Sequence, residues 1–274
     1  MAIAKTSGRN NPPVKISRIK EDRHFVTALA RGLDVLDCFR SSDRVLGNQE
    51  IAAACKLPKS TVSRLAYTLT KLGYLVSVEE SAKYRLGNAT LSLGMAALAR
   101  LDVRKLAHPL MQQLADFSKA TVALGSHDRL AMIYIDVARS STPLTVALDL
   151  GARIPVATTA MGRAYLACCP ERERDDIMAQ LRTLDKTAWP GIRAGIEKSL
   201  REYRELGCST SFGEWQKEVN SIGVAFNPGG GRPPMVINCG GPAFTLKREF
   251  LLQAARPKLI ALVQQLEAAL GTAA

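Results

Sequence analysis

The chain has 274 residues, with 37 Lys or Arg against 25 Asp or Glu, and its net charge is +12. This length predicts about two domains, and a hydrophobic content of 47% excludes a disordered or fibrous protein. There is no apolar run of about 18 residues, so we expect no membrane-spanning helix. The basic start has no apolar segment and is not a secretory signal. We therefore expect a cytoplasmic protein.

The positive charge is concentrated near the N-terminus. Residues 1–106 contain 18 basic and 9 acidic residues, a net charge of +9, whereas residues 107–274 contain 19 and 16, a net charge of +3. This asymmetry predicts that the N-terminal part contacts a polyanion. Within it, residues 1–22 are rich in Gly, Asn, Pro and basic residues, and we predict a disordered basic arm.

Residues 23–87 are predicted to form a winged helix-turn-helix domain. The first helix has apolar residues at Phe25, Leu29, Leu33 and Leu36, which is the spacing of an amphipathic helix. Pro58 favours the start of the third helix, which belongs in the major groove in this class of domain. The predicted helices span 25–40, 49–55 and 59–72, and the two strands of the hairpin span 74–78 and 83–86.

The third helix has one apolar side and one side that is polar, basic and free of acidic residues. Val62, Leu65, Leu69 and Leu72 are predicted to be buried. The opposite side can donate hydrogen bonds to base edges and phosphates, although a merely solvated helix face would also be polar. The predicted DNA-binding residues of this helix are Lys59, Ser60, Thr61, Ser63, Arg64, Tyr67 and Lys71.

The hairpin is predicted to contact the DNA backbone. Lys83 and Arg85 on its returning strand supply positive charge, while Glu79 and Glu80 at its tip would repel phosphate. These opposite charges favour the returning strand as the contact.

An apolar stretch at residues 88–106 is predicted to be a single linking helix. It has more apolar residues than a lone surface helix needs, so we expect it to pair with the same helix of a second subunit.

Residues 107–274 have a mixed pattern that predicts an antiparallel sheet with helices packed on it, which makes the whole chain an α+β protein. Such a sheet can hold a small ligand. The six cysteines and three histidines have no metal-ligand spacing, so no metal or cofactor is expected. Nucleotide-binding and nucleophile-elbow motifs are absent from the sequence, and we expect no enzymatic activity.

Several short motifs occur in both halves of the chain. They are Ala28–Arg31–Gly32–Leu33, the run from Leu57 to Leu65, Tyr84–Arg85–Leu86–Gly87, Ala160–Met161–Gly162–Arg163–Ala164, Gly207 to Gly223 with Ser211, Glu214 and Ser221, and Gly240–Gly241–Pro242. Together these motifs are specific, and over roughly residues 25–270 the chain resembles the IclR family of bacterial transcriptional regulators. The segment 25–33 further resembles the branch of the family that controls aromatic-acid catabolism.

The resemblance implies a homodimer or tetramer that binds a double-stranded DNA operator through its N-terminal domain. It also implies a GAF-like C-terminal domain that binds a small organic acid and thereby modulates operator binding. The two serines at 211 and 221 depart from the Asp and Cys common in the family, so the identity of the acid does not carry over. The implied effector-binding residues are Ala160, Met161, Ser211, Ser221, Asn238 and Gly240.

These effector positions also make sense chemically. Hydroxyls, an amide and the start of a helix are donors that suit a carboxylate. Arg153 and Arg163 are nearby cations, and we expect both at the surface. Two alternatives remain open: a DNA-binding regulator whose C-terminal domain serves oligomerisation without a ligand, and a small-molecule enzyme.

Overall fold

The computed structural model describes residues 24–39, 45–78, 81–99, 102–141 and 148–271. Two compact units are present, Met1–Arg100 and Leu101–Ala274. The predicted basic arm and the Glu79–Glu80 tip lie outside the described residues.

The first unit has the predicted winged helix-turn-helix architecture. Its three strands form a small antiparallel sheet in the order β1-β3-β2, so the returning strand of the hairpin is central. In chain order the elements are α1 Thr27–Asp37, β1 Leu46–Gly47, α2 Asn48–Cys55, α3 Lys59–Lys71, β2 Leu75–Val78, β3 Lys83–Leu86 and α4 Asn88–Ala99.

Fewer of the apolar side chains of the first unit are buried than the sequence pattern predicts. Val62 on α3 is fully buried as predicted, but Leu72 is 60% exposed and Ala66 takes the buried position instead. Leu72 follows the last residue of α3, so the helical periodicity no longer fixes where its side chain points. On α1, Leu29 and Leu33 are also more than half exposed. The domain therefore has an apolar surface as well as an apolar core.

The stretch predicted as a single linking helix, residues 88–106, is helical on both sides of residues 100 and 101, which lie outside the described residues, so its continuity stays a prediction. Helix α4 ends at Ala99, and helix α5 spans Asp102–Ser118 in the second unit. Val103 and Ala107 on α5 are fully buried in the core of that unit. Their apolar character therefore reflects packing within the second unit and not only a link between domains.

The second unit contains a six-stranded antiparallel sheet in the order β6-β5-β4-β9-β8-β7. The last helical segment of the chain contains a π-helical turn at Leu251–Ala255. After α5 the elements are β4 Thr121–Asp128, β5 Ala131–Arg139, β6 Arg153–Pro155, α6 Ala160–Cys168, α7 Glu171–Leu184, α8 Trp189–Leu206, β7 Ser209–Phe212, β8 Val219–Phe226, β9 Met235–Pro242, α9 Arg248–Phe250 and α10 Arg256–Ala269.

Helices cover the two faces of this sheet, and alternate strand residues face opposite cores. Val122 and Ile237 belong to the core that includes α5 and α10. Ala123 and Val236, their neighbours along the strands, belong to the core that includes α6 and α8. The positions that share a face with Ala123 and Val236 are therefore those that can form a site beside α6.

Helix α6 begins very close to the sheet. A Cβ atom on Gly223 of β8 would lie 2.9 Å from the carbonyl oxygen of Ala160, the first residue of α6. Contacts of that length between a Cβ and a backbone oxygen do not occur without a shift of the helix. Glycine at position 223 thus fixes where the N-terminus of α6 meets the sheet.

Candidate functional site

The polar side of α3 is exposed over its length. Ser60, Ser63, Arg64 and Lys71 are exposed, and the Tyr67 side chain is 64% exposed. The Lys71 Nζ lies 5.5 Å from the centre of the Tyr67 ring, a cation–π contact that leaves both groups at the surface. The predicted donor face is therefore open to a partner.

Two residues at the start of α3 differ from the rest of this face. Thr61 is half-buried, and the Lys59 Nζ donates to the Oε1 of Gln49 on α2 over 3.4 Å. Lys59 thus connects α3 with the helix that precedes it.

The two cations predicted on the hairpin lie in different environments. Lys83 and Arg85 are two residues apart on β3 and share one face of the sheet. Lys83 forms an ion pair with Glu50, with 3.3 Å between Nζ and Oε2. The same Glu50 oxygen accepts a hydrogen bond from the Gly47 amide over 2.9 Å and caps α2. Arg85 is exposed, so its charge is the more available of the two.

The second unit contains a small cavity of about 20 Å³ on the α6 face of the sheet, which is room for about one water molecule. Three of the predicted effector residues, Ser221, Asn238 and Gly240, line it. The sequence reasoning missed the other lining residues. The additional lining residues are Thr121, Tyr134, Leu148, Ile154, Thr159, Trp215 and Val219.

The other three predicted effector residues do not line this cavity. Ser211 lies directly opposite Ser221 in the sheet, and its Oγ donates to the carbonyl of Thr158 over 2.8 Å. Ala160 and Met161 are the first residues of α6 and are fully buried. Neither of these two residues lines the cavity, whereas Thr159, the residue before them, does.

The strand pairing fixes which residues lie side by side on the floor of the cavity. Ser221 on β8 is opposite Gly240 on β9, which is opposite Thr121 on β4. In an antiparallel sheet, opposite residues share a face, so two hydroxyls flank a glycine. A Cβ on Gly240 would lie 2.8 Å from the Ser221 Cβ. Asn238 lies two residues before Gly240 on the same face.

The start of α6 adds further donors near this floor. The Thr159 Oγ1 accepts a hydrogen bond from the Gly162 amide over 3.1 Å, as an N-cap residue does. The amides in the first turn of a helix carry partial positive charge. The N-terminus of α6 is therefore a favourable neighbour for an anion.

Two polar atoms of the lining are buried without a hydrogen-bond partner among the described residues, Asn238 Oδ1 and Thr121 Oγ1. The Nδ2 of the same Asn238 donates to the Tyr134 hydroxyl over 3.5 Å. Burial raises the pKa of the Tyr134 phenol to about 12, so this hydroxyl keeps its proton at neutral pH. The described lining consists of neutral side chains.

The cations near the cavity are paired with carboxylates. Arg163 is only 5% exposed and lies 2.6 Å from a carboxylate oxygen of Glu214. It also donates to the carbonyls of Ala157 and Thr210. Arg153 pairs with Asp128. The expectation that Arg163 lies at the surface is thus wrong, because Glu214 and two carbonyls satisfy it inside.

Across the described ranges, His, Cys, Asp and Glu side chains form no group of three or more that could bind a metal ion. In the same part of the chain, no helix is both long and apolar enough to span a bilayer.

Both halves of the chain match known protein families. A model described as the IclR helix-turn-helix domain matches residues 28–79. A model described as the C-terminal part of the bacterial transcriptional regulator IclR matches residues 95–268.

Relatives match over nearly the whole chain. The HTH-type transcriptional regulator TsaQ1/TsaQ2 of Comamonas testosteroni is 33% identical over 91% of this chain and 90% of its own length. The crystal structure of an IclR family transcriptional regulator from Brucella abortus is 44% identical, with a TM-score of 0.83 over 94% of this chain and 97% of that one. An IclR homologue from Microbacterium hydrocarbonoxydans, complexed with 4-hydroxybenzoate, shares the fold at 18% identity, with a TM-score of 0.72 over 90% and 100% of the two chains.

Proposed function

The chain belongs to the IclR family of DNA-binding transcriptional regulators, and from this premise we propose that a small organic acid bound in the C-terminal unit modulates its binding to an operator. The observation that carries the proposal is the cavity beside α6, in which one buried hydroxyl, that of Thr121, and the amide oxygen of Asn238 have no hydrogen-bond partner among the described residues. The function is one of binding, with no catalytic step.

The operator is bound by α3 and the hairpin. Hydroxyl and guanidinium groups such as those of Ser63 and Arg64 can donate to base edges in the major groove. Lys71 and Arg85 supply exposed positive charge for the phosphates. Lys83 contributes less, because Glu50 neutralises it.

The acid is held where the sheet meets the start of α6. Its carboxylate lies over Gly240, between the hydroxyls of Ser221 and Thr121, with the N-terminus of α6 as a further source of positive potential. Apolar side chains such as Trp215 and Ile154 contact the rest of the ligand. An aromatic acid suits these walls, and a protein of the same fold is complexed with 4-hydroxybenzoate.

The working form is a homodimer or tetramer in the cytoplasm, where the operator DNA lies. Two helices of the first unit expose apolar side chains that a second copy would bury: α1 exposes Leu29 and Leu33, and α4 exposes Leu91, Leu93 and Met95, all by more than half. Exposed apolar groups of this extent mark association surfaces, and a symmetric dimer matches a palindromic operator.

The effector acts by thermodynamic coupling. An acid that binds one arrangement of the oligomer more tightly shifts the population toward it, and operator affinity changes by the same coupling free energy. Whether the result is activation or repression depends on where the operator lies relative to the promoter.

Thermal unfolding of the purified full chain against a panel of small carboxylic acids tests the proposal. A ligand that binds only the folded state raises the melting temperature by mass action. Operator binding is measured in parallel, with and without each acid that stabilises the protein. An unchanged melting temperature with every acid, in protein that still binds DNA, would favour an oligomerisation domain without a ligand.

Two serine variants give a matched comparison for this experiment. Ser221 lines the cavity, whereas Ser199 on α8 is also buried but does not line it. We expect Ser221→Ala to reduce the thermal shift caused by an acid and Ser199→Ala to leave it unchanged. An equal loss in both variants would contradict the placement of the acid.

A further inference from the structure

Two cysteines of the first unit are in direct contact although 17 residues separate them in the sequence. Cys38 directly follows α1, and Cys55 is the last residue of α2. Their sulfur atoms are 3.1 Å apart, and both residues are only partly buried. A small molecule in the solvent can therefore reach this pair of thiols.

One backbone oxygen brings the two thiols together. The Cys38 Sγ donates to the carbonyl of Asp34 over 3.3 Å, and the Cys55 Sγ reaches the same oxygen over 3.5 Å. Both side chains also pack against the core of the domain. The contact between the sulfur atoms is therefore held by the last turn of α1 and by the core beneath it.

The distance to a covalent bond between these sulfur atoms is short. Bonded sulfur atoms in a disulfide are about 2.05 Å apart, so the two atoms need to approach by about 1 Å from their present 3.1 Å. Small changes of the two side chains and of the end of α2 can provide this approach while the domain stays folded.

From this geometry we propose that Cys38 and Cys55 form a redox modification site, at which a peroxide oxidises the two thiols to a disulfide, and that the disulfide lowers the affinity of the first unit for DNA. This regulation acts on the DNA-binding domain itself and goes beyond the acid sensor of the second unit. Thiol–disulfide exchange with a reducing thiol reverses the step.

The oxidation proceeds in two balanced steps. The Cys38 thiolate attacks one peroxide oxygen and becomes a sulfenic acid, the O–O bond breaks, and the departing hydroxide takes up the proton that the thiol released. The Cys55 sulfur then attacks the Cys38 sulfur, the S–S bond forms, and the hydroxyl leaves as water with the Cys55 proton. Two thiols thus lose two electrons and two protons, and hydrogen peroxide is reduced to two molecules of water.

The order of the two steps follows from the state of Cys55. The hydrogen bond with Cys38 and burial raise the pKa of the Cys55 thiol, so it keeps its proton at neutral pH. Because the thiolate is the attacking form of a cysteine, Cys55 is poorly suited to react first with peroxide. We therefore assign the first attack to Cys38 and the closing step to Cys55.

The disulfide affects DNA binding through the turn between α2 and α3. Three residues separate Cys55 from the start of α3. Lys56 in this turn has a left-handed backbone with φ of 54°, and Leu57 packs against the core, so the turn has little freedom to absorb a displacement. A pull on Cys55 toward α1 is therefore passed on to the start of α3. Hydrogen bonds tolerate only a narrow range of about 2.7–3.2 Å, so DNA contacts of residues such as Ser60 become weaker.

DNA binding by the full chain in its reduced and oxidised forms tests the proposal. The probe is a duplex that the reduced protein selects from a random-sequence pool. After peroxide treatment and alkylation of the remaining thiols, we expect mass spectrometry to find a peptide linked through Cys38 and Cys55. The oxidised protein should bind the duplex about tenfold more weakly, as expected for the loss of one or two hydrogen bonds, and dithiothreitol should restore the affinity.

Cysteine variants identify the pair that responds. Cys38→Ser and Cys55→Ser each remove one partner, so both variants should keep their affinity after peroxide treatment. Cys168→Ser removes the exposed cysteine of the second unit and should respond as the wild type does. The affinity of each reduced variant shows whether it folds, and Cys38→Ala and Cys55→Ala replace a serine variant that does not.

Three results would overturn the inference. The first is the absence of a peptide linked through Cys38 and Cys55 after peroxide treatment. The second is a linked protein that binds the duplex as tightly as the reduced protein does. The third is an equal loss of affinity in the Cys38 and Cys55 variants, which would place the oxidised residue elsewhere. All of these measurements are made without an acid, so none of the three results affects the proposed acid sensor.

Discussion

The two candidate binding sites differ in the cations around them. In the first unit, Arg64, Lys71 and Arg85 are exposed around the predicted DNA-binding face. In the second unit, Arg163 near the cavity is buried and contacts Glu214 and two carbonyls. Arginine is thus exposed at the predicted DNA-binding face, whereas beside the cavity it is part of the internal structure.

This difference shows how each unit can bind an anion. Phosphates of DNA stay partly hydrated, so exposed cations are effective and release counterions on binding. A small acid in a closed cavity loses its water, and preorganised neutral donors beside a helix N-terminus can replace it. Positive charge in the sequence therefore locates the DNA-binding unit but not the ligand cavity.

The largest expected effect comes from removing the buried Arg163. Arg163→Met takes away the partner of the exposed Glu214 and leaves the buried carbonyls of Ala157 and Thr210 without their donor. Leaving a buried acceptor without its donor costs about 1–3 kcal/mol, whereas the Glu214 carboxylate can be hydrated. We expect the free energy of unfolding, measured with urea, to fall by at least that amount.

A surface pair in the same unit provides the control for this measurement. Arg193 and Glu197 lie four residues apart on α8 with 2.7 Å between them, and both are largely exposed. Exposed pairs contribute about 0–1 kcal/mol, so Arg193→Met is expected to leave stability nearly unchanged. Equal losses in the two variants would show that burial does not distinguish these pairs.

The next largest effect concerns base recognition. Arg64 is exposed on α3 and suits a bidentate contact to guanine. We expect Arg64→Ala to weaken operator binding by about 1–3 kcal/mol and to relax specificity at one base pair. Titration of operators mutated at single positions checks this, with the exposed Arg201→Ala in the second unit as the control.

An operator profile that keeps its shape while all affinities fall would contradict base recognition by Arg64. Arg64 would then be a phosphate contact instead. The comparison between the two units would remain, but the assignment of the specific residue would move to another position of α3.

The local sequence pattern predicted where helices form better than it predicted which of their side chains are buried. Helix α3 begins at Lys59 as predicted and ends at Lys71, one residue before the predicted end, because Pro58 and apolar periodicity are local signals. The pattern over 88–106 predicts one linking helix, but Val103 within it joins the core of the second unit, since periodicity does not show which core an apolar residue joins. Leu29 and Leu33 fit the helical pattern of α1 and are nevertheless exposed.

Only those residues of the candidate site that belong to family-like motifs could be predicted from the sequence. Ser221, Asn238 and Gly240 belong to segments that resemble the family, and all three line the cavity. Thr121 comes from β4, which pairs with β9, and Tyr134 comes from β5, which pairs with β4. Pairing between strands more than 100 residues apart leaves no local signal, so these residues could not be found from spacing.

The buried phenol of the cavity predicts a pH dependence that distinguishes it from an exposed group. Burial raises the pKa of Tyr134 to about 12, against 10 for an ordinary tyrosine. The stabilisation from burying the protonated phenol is fully present below pH 10, where Tyr134 is protonated in both the folded and the unfolded state. It is lost as pH rises from 10 to 12, because the unfolded state releases the proton first. One residue contributes at most about 1.4 kcal/mol per pH unit.

Urea unfolding of wild type and Tyr134→Phe at pH 9 and pH 11 measures this contribution. The other tyrosines are the same in both proteins, so they cancel in the difference between the two slopes. We expect the stability of wild type to fall more steeply with pH than that of the variant. Parallel curves would mean that the phenol ionises in the folded state as easily as in the unfolded state.

The smallest expected effect separates the two cations of the hairpin. A phosphate contact contributes about 0.9 to the slope of log affinity against log salt, so Arg85→Ala should flatten that slope by about this amount. Lys83→Ala should flatten it less, because Glu50 already neutralises Lys83 across 3.3 Å. Both variants should weaken all DNA sequences alike.

Glu50→Gln tests the reason for this difference. Glutamine keeps an oxygen that can accept from the Gly47 amide and cap α2, but it removes the negative charge beside Lys83. We therefore expect Glu50→Gln to steepen the salt dependence, and Lys83→Ala in that background to flatten it as much as Arg85→Ala does. If Lys83→Ala has the same effect in both backgrounds, the ion pair with Glu50 does not control how far Lys83 is available to DNA. The contrast between exposed and paired cations would then hold only between the two units and not within the first.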